Sequence, residues 1–205
     1  MANGQLSDAQ AKAILRTWPT RTKKLWHTPG GVGYWMQAQP KPPAPGATAG
    51  PTLNSPGADL FNTQPDGLWI YMKEGYADVI IIEVCGNIQN VNDKRSRYAP
   101  FGHGLVVRCP LPWLLENVTV QRGGQKPRWQ ASVTLATAPT ADMMLPVRHL
   151  RVLIAIPNAS FKSWRENNTP GPHEYYTQHS SLNSYTGPKF QQLLRGMSPA
   201  SHWYP

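Results

Sequence analysis

The sequence of 205 residues predicts one α/β (α+β) domain, a central mixed β-sheet flanked by helices and extended by an antiparallel insertion. Three observations carry that expectation. Two β-rich runs, residues 68–73 and 76–85, flank Glu74-Gly75, the composition of a short hairpin turn. The second of these runs, like residues 152–156, is apolar at consecutive positions, as strands covered on both faces are. The length suits one domain with extensions, and 21 prolines with 17 glycines imply long irregular connections instead of the unbroken helices of a bundle.

Residues 7–18 read as a helix, with Ser7 as N-cap, Asp8 in the first turn and Pro19 as its end. Ala11, Ile14, Leu15 and Trp18 fall at i, i+3, i+4 and i+7, one stripe for docking on a core. A basic patch with Arg21, Lys23 and Lys24 and an aromatic, glycine-rich piece, residues 26–35, complete an N-terminal segment over 1–36. Residues 37–57 are dominated by Pro, Ala and Gly and read as a loop or linker. The α/β core is then expected over 58–205.

Within that core the hairpin comes first. Residues 87–98, polar and basic, read as a helix or a turn followed by one. Pro110 and Pro112 restrict 104–115 to partial strand, and 128–136 alternates like an antiparallel strand, so 104–147 is the expected insertion. Residues 148–156 form a second buried strand that stops at Pro157, and 160–165 and 189–197 are short helix candidates separated by an irregular loop. There is no internal repeat.

Twenty Lys and Arg against eleven Asp and Glu leave a formal charge of +9, the footprint of a surface that meets phosphates. The expected partner is nucleic acid, DNA ahead of RNA, and a homodimer is compatible with this reading. No apolar run approaches a membrane span and the N-terminus has no leader pattern, so a cytoplasmic location without a membrane is expected. Cys85 and Cys109 form no disulfide framework and no metal pattern, which suits reduced thiols.

The hairpin makes a geometric prediction. If Glu74-Gly75 is a two-residue loop, Lys73 faces Tyr76 and, counting outward, Asp66 faces Glu83. Opposite residues share a face with Cβ atoms about 4.5–5.5 Å apart, close enough for two carboxylates to hold one divalent cation. Glu83 lies inside Val79-Ile80-Ile81-Ile82-Glu83-Val84, where an ionised carboxylate is costly without a compensating cation or donor.

Pro65-Asp66, a hairpin, and then Glu83-Val84-Cys85 resemble the signature of the PD-(D/E)XK, or restriction-endonuclease-like, nucleases. The resemblance covers about residues 60–100, with a later strand at 152–156. It implies Asp66 and Glu83 as ligands of Mg²⁺ and metal-assisted hydrolysis of phosphodiester bonds. Cys85 departs from it, because the family usually has Lys there and a thiol cannot stabilise developing negative charge as an ammonium does. Lys94 is the candidate for a migrated catalytic lysine and Arg95 and Arg97 for phosphate clamps. Lys73, at the far end of the hairpin, is the weaker alternative.

Plainer readings stand beside these. Pro65-Asp66-Gly67 is also an ordinary turn, and Glu83 could be a buried acid paired with Arg97, Arg148 or Arg151. Asp78, five positions before Glu83, points to the other face and reads as a structural acceptor. Gln89 or Asn90 could reach a phosphate or a base edge, or the amide-rich segment from Gly86 to Asn90 could serve as cap and turn. Lys23 and Lys24 beside Trp26, Tyr34 and Trp35 suit stacking on unpaired bases, or those rings belong to the core. Two further functions follow: a non-catalytic DNA- or RNA-binding protein, and a metal-independent nuclease or glycosylase using Tyr175, Tyr176, His179 and Tyr185. The six histidines show no zinc-ligand spacing, Cys85 in a strand reads as inert, and no glycine-rich phosphate or dinucleotide fingerprint occurs, so no nucleotide cofactor is expected.

Overall fold

A computed structural model describes residues 6–22, 25–28, 31–37, 51–54, 65–73, 75–99, 104–110, 142–184 and 203–204. In chain order these form α1 (Asp8–Thr22), β1 (Leu25–Thr28), β2 (Gly31–Gln37), β3 (Thr52–Asn54), β4 (Gly67–Lys73) and β5 (Tyr76–Val84). There follow α2 (Ile88–Tyr98), β6 (Val106–Pro110), β7 (Asp142–Ile156), α3 (Asn158–Asn167), β8 (Glu174–Gln178), a 3-10 helix (His179–Ser184) and β9 (Trp203–Tyr204). The strands make one mixed sheet in the order β1-β2-β4-β5-β7-β6-β3, with β8 added to β7 and β9 to β8. The expected α+β class with a central mixed sheet is therefore what the chain adopts.

The β4–β5 hairpin is the middle of that sheet, and its register is the expected one: Lys73 faces Tyr76 and pairing runs outward to Gly67 opposite Ile82. Gly75 has φ +77, the left-handed backbone that a tight hairpin turn needs and that a side chain resists. β5 then runs parallel to β7, which runs parallel to β8, while β2 lies antiparallel on the outer side of β4.

A continuous apolar run is legible in β5 because the strand is covered on both faces. Val79, Ile81 and Cys85 belong to one core with Val91 and Tyr98 of α2 and Phe161 and Trp164 of α3. Ile80, Ile82 and Val84 belong to a second core with Ala11 and Leu15 of α1 and Leu182 of the 3-10 helix. α1 is opened by a capping box in which the Gln10 N–H donates to Ser7 Oγ (3.2 Å) and the Ser7 N–H donates to Gln10 Oε1 (2.8 Å). No helix among the described residues is long and apolar enough to cross a membrane.

Several elements differ from expectation. α1 passes through Pro19 to Thr22, since a proline removes one intrahelical donor and weakens a helix without excluding it. The glycine-rich piece at 26–35 is the hairpin β1–β2, in which Leu25 faces Tyr34 and Thr28 faces Gly31. Gly31 and Gly33, which alternate with Val32 and Tyr34, hide its strand pattern. β3 lies within the Pro/Ala/Gly run and pairs with β6. β7 starts at Asp142, not at Arg148, and its first part pairs antiparallel with β6 through Pro146. Tyr175 and Tyr176 belong to a buried strand where a loop was expected. The expected elements at 128–136 and 189–197 lie outside the described residues.

Ile81 is fully buried at the centre of the first core, whereas Met144 is 55% exposed. Ile81→Ala should lower the unfolding free energy by about 2–5 kcal/mol in urea titration, and Met144→Ala should change it by less than about 0.5 kcal/mol.

Candidate functional site

The candidate site forms where β5 ends and α2 begins. Asp66 immediately precedes β4, and the hairpin register sets it across from Glu83. Its Oδ2 accepts the Val84 N–H (2.8 Å), so a carboxylate continues the hydrogen bonding that β4 has not yet begun. Its Oδ1 lies 3.6 Å from Lys12 Nζ, which also pairs with Asp8 at 3.3 Å. The N-terminus of α1 approaches closely enough that a Cβ on Gly86 would stand 3.2 Å from Asp8 Cβ.

Glu83 is wholly buried, and both its oxygens are engaged by α2. Lys94 Nζ donates to Oε2 at 2.6 Å, and the Tyr98 hydroxyl donates to Oε1. Asn87 makes this possible by capping α2 directly after the strand, its Oδ1 accepting the Asn90 N–H at 2.9 Å. Val91, Lys94 and Tyr98 then fall on one helical stripe toward the sheet. Burial pushes the Glu83 carboxyl up to about 7; Lys94 and the Tyr98 hydrogen bond pull it down, and the charge of Asp66 pushes it further up. The two acids therefore sense one another.

Cys85 follows on the same face, and burial, with the charges of Glu83 and Asp66, raises its thiol to about 12. A thiol held protonated in this way is no nucleophile at neutral pH. His179 is also buried, with Nε2 3.0 Å from the Cys85 carbonyl oxygen and Nδ1 3.4 Å from that of Leu6. It ties the 3-10 helix to the end of β5 and to the start of α1.

Comparisons with protein-family models, with curated proteins and with solved structures find no match to this chain.

Of the residues singled out in the sequence, Asp66, Glu83 and Lys94 come together. Arg95 is instead committed internally: its Nε donates to both Glu174 oxygens at 3.0 Å and its Nη2 to the Thr169 carbonyl at 3.1 Å. As a phosphate clamp it would first have to leave that pair. Gln89 and Arg97 are exposed on α2, and Lys23 and Lys24 lie outside the described residues. The partner of Glu83 is none of Arg97, Arg148 or Arg151, because the latter two project from β7 on the other sheet face. Tyr175, Tyr176 and His179, the residues of the metal-independent alternative, are at most 2% exposed. Tyr185 is outside the described residues.

Three contributors were missed: Tyr98, Lys12 and Glu174. The stripe of Val91, Lys94 and Tyr98 was the available signal for the first. Nothing local announces Glu174, which lies 79 positions from Arg95. Tyr98 and Arg95 also wall a cavity of about 250 Å³, floored by Leu150, Val152 and Ile154. Among the described residues no three His, Cys, Asp or Glu side chains gather to hold a metal, so the acidic donor set is Asp66 and Glu83.

The raised carboxyl of Glu83 has a thermodynamic consequence. The folded chain binds this proton more tightly than the unfolded chain, whose carboxyl titrates near 4.5. The resulting stability is complete below that value and is lost as pH rises through about 7. Relative to wild type, Glu83→Gln should gain about 3 kcal/mol between roughly pH 4 and pH 8, read from denaturant titrations of both proteins. Lys94→Met should push the Glu83 carboxyl further up, so its cost should be small below about pH 7, where Glu83 stays protonated, and grow to about 3 kcal/mol at roughly pH 9, and adding Glu83→Gln should recover most of that loss.

Proposed function

We propose that this chain binds nucleic acid, DNA in preference to RNA, and hydrolyses its phosphodiester bonds with the help of a divalent cation. The observation that carries the reading is the meeting of Asp66 and Glu83 at one end of the central hairpin, with Lys94 Nζ 2.6 Å from Glu83 Oε2. It agrees with the resemblance to PD-(D/E)XK nucleases, in which an acid before one strand and another near the end of the next serve together with a lysine.

The donor set suits Mg²⁺, which takes one or two carboxylates and completes its octahedron with water and substrate phosphate. The raised Glu83 carboxyl also fits, because a cation held by Asp66 and Glu83 would offset the cost of ionising a carboxyl that burial, and to a smaller extent the charge of Asp66, pushes up. Asp66 and Glu83 would hold the ion, which when bound supplies Lewis-acid activation of phosphate and water. Lys94, whose Nζ is 2.6 Å from Glu83 Oε2, would supply the ammonium that stabilises charge on a phosphoryl oxygen, the role that Cys85 cannot fill. Tyr98 retains its hydrogen bond to Oε1 and fixes the carboxylate plane. The surplus of nine positive charges draws the polyanion to the surface.

One observation favours a second reading, a binding protein without catalysis. Both oxygens of Glu83 already have donors and the side chain has no solvent exposure, as in a polar lock that fastens α2 to the sheet.

Incubation with plasmid and single-stranded substrates in Mg²⁺, Mn²⁺ or EDTA separates the two. Hydrolysis should require metal and disappear in Asp66→Ala and Glu83→Ala. Lys94→Met should lose about 10²–10³-fold in rate while calorimetry still detects Mn²⁺ binding. Tight DNA binding with no product in any metal would remove the enzymatic reading and leave the second.

A further inference from the structure

The opposite end and opposite face of β5 hold a second polar cluster. Asp78 is 1% exposed, faces Tyr71 across the hairpin and lies beside His149 of β7. Its Oδ2 accepts from Lys73 Nζ at 2.6 Å, and its Oδ1 is 2.8 Å from His149 Nδ1. Since a carboxylate only accepts, this contact places a proton on Nδ1 and leaves Nε2 as the outward nitrogen of a side chain that is 43% exposed. The cluster is five residues of β5 from Glu83, about 17 Å at the usual rise per residue. It therefore cannot act on the same reacting atoms.

A register shift builds the cluster. Ala77 pairs with Val147 and Asp78 with His149, which leaves Arg148 as the extra residue of a bulge. The Arg148 guanidinium lies over one face of the Tyr76 ring at 5.1 Å, and Lys73 Nζ is 5.0 Å from the centroid of the same ring. Three positions on, Arg151 leans the other way, toward β8, and lies over the Tyr175 ring at 5.8 Å. Its Nη1 donates to the Leu150 carbonyl at 2.9 Å, whereas its Nε is buried with no partner among the described residues.

We propose that Lys73, Arg148 and His149 form a binding site for a phosphate oxyanion. Among the described residues these cations share a single carboxylate, Asp78, so charge is in excess even with the imidazole neutral. Stacking on a ring engages the face of a guanidinium and leaves its N–H edge for an acceptor, and that edge matches the oxygens of phosphate in a two-pronged contact. Asp78 does not cancel the site. It is used up in fixing Lys73 and in orienting His149, as a carboxylate behind a histidine orients that ring in other polar sites. The phosphate could be free or monoesterified, or it could belong to the backbone of a strand, and both present the same oxygens.

The test uses the full chain in EDTA, so that its outcome is independent of any metal-dependent cleavage. The imidazole resonances of His149, assigned with His149→Gln, are followed by NMR while inorganic phosphate is added, with chloride at matched ionic strength as control. A saturable shift with phosphate and none with chloride is expected, and Arg148→Gln should weaken it roughly tenfold. A short oligothymidylate without terminal phosphate and its uncharged methylphosphonate counterpart separate the two sources. Competition by the charged strand alone assigns the site to a nucleic-acid backbone, and competition by neither assigns it to free phosphate or a monoester. An unsaturable shift equal to that with chloride, or an affinity unchanged in Arg148→Gln, would overturn the proposal.

Discussion

Glu83 places an acidic side chain with no solvent exposure near the end of the central strand, and the neighbouring architecture is organised around that requirement. An unpartnered carboxylate there would cost several kcal/mol. Two donors must arrive from the element that follows, so the chain has to turn sharply at Gly86 and cap a helix at Asn87. That helix must then lie across the sheet with Lys94 and Tyr98 inward. Apolar contacts from Val91 could be satisfied at many helix orientations. A hydrogen bond to each oxygen of one buried carboxylate permits few.

The same strand explains why two acids five positions apart have different surroundings. Alternation sends Glu83 toward α2 and α3 and Asp78 toward the face of α1. Glu83 is enclosed by one cation and one hydroxyl, and desolvation dominates its chemistry. Asp78 is buried just as deeply, but its two partners reach outward from it, Lys73 and His149 being 24% and 43% exposed. One carboxylate is thus the centre of a closed contact and the other the base of an open one.

The parts of this arrangement that could be read from the sequence are those encoded locally. Glu74-Gly75 between two β-rich runs fixed the hairpin, and the loop length fixed the register that sets Asp66 across from Glu83. Lys94 was legible as the nearest cation on the following helix, because eleven residues of chain limit what can return to a strand end. Arg95 looked equivalent to it in composition, yet one helical step turns it to Glu174. That pairing joins α2 to β8 across 79 positions, and no local pattern specifies which distant acid a surface-seeking arginine will meet. β1, β2 and β3 were hidden for another reason. Glycine and proline depress intrinsic strand preference, while pairing with β4 and β6 supplies the hydrogen bonds that favour the extended backbone regardless.

Ion pairing also determines where the positive surplus resides. Asp8 and Asp66 share Lys12, and Asp78, Glu83, Asp142 and Glu174 are matched to Lys73, Lys94, Arg108 and Arg95. These six acids engage five cations, whereas the formal excess of nine is that of twenty Lys and Arg over eleven Asp and Glu in the whole sequence. Arg148 and Arg151 show how part of that excess is held: not by carboxylates, which would cancel it, but by aromatic faces, which leave the charge intact and aim it. The acids matched in this way are occupied in fixing the fold, and the buried pairs among them are screened by salt far less than exposed charges are.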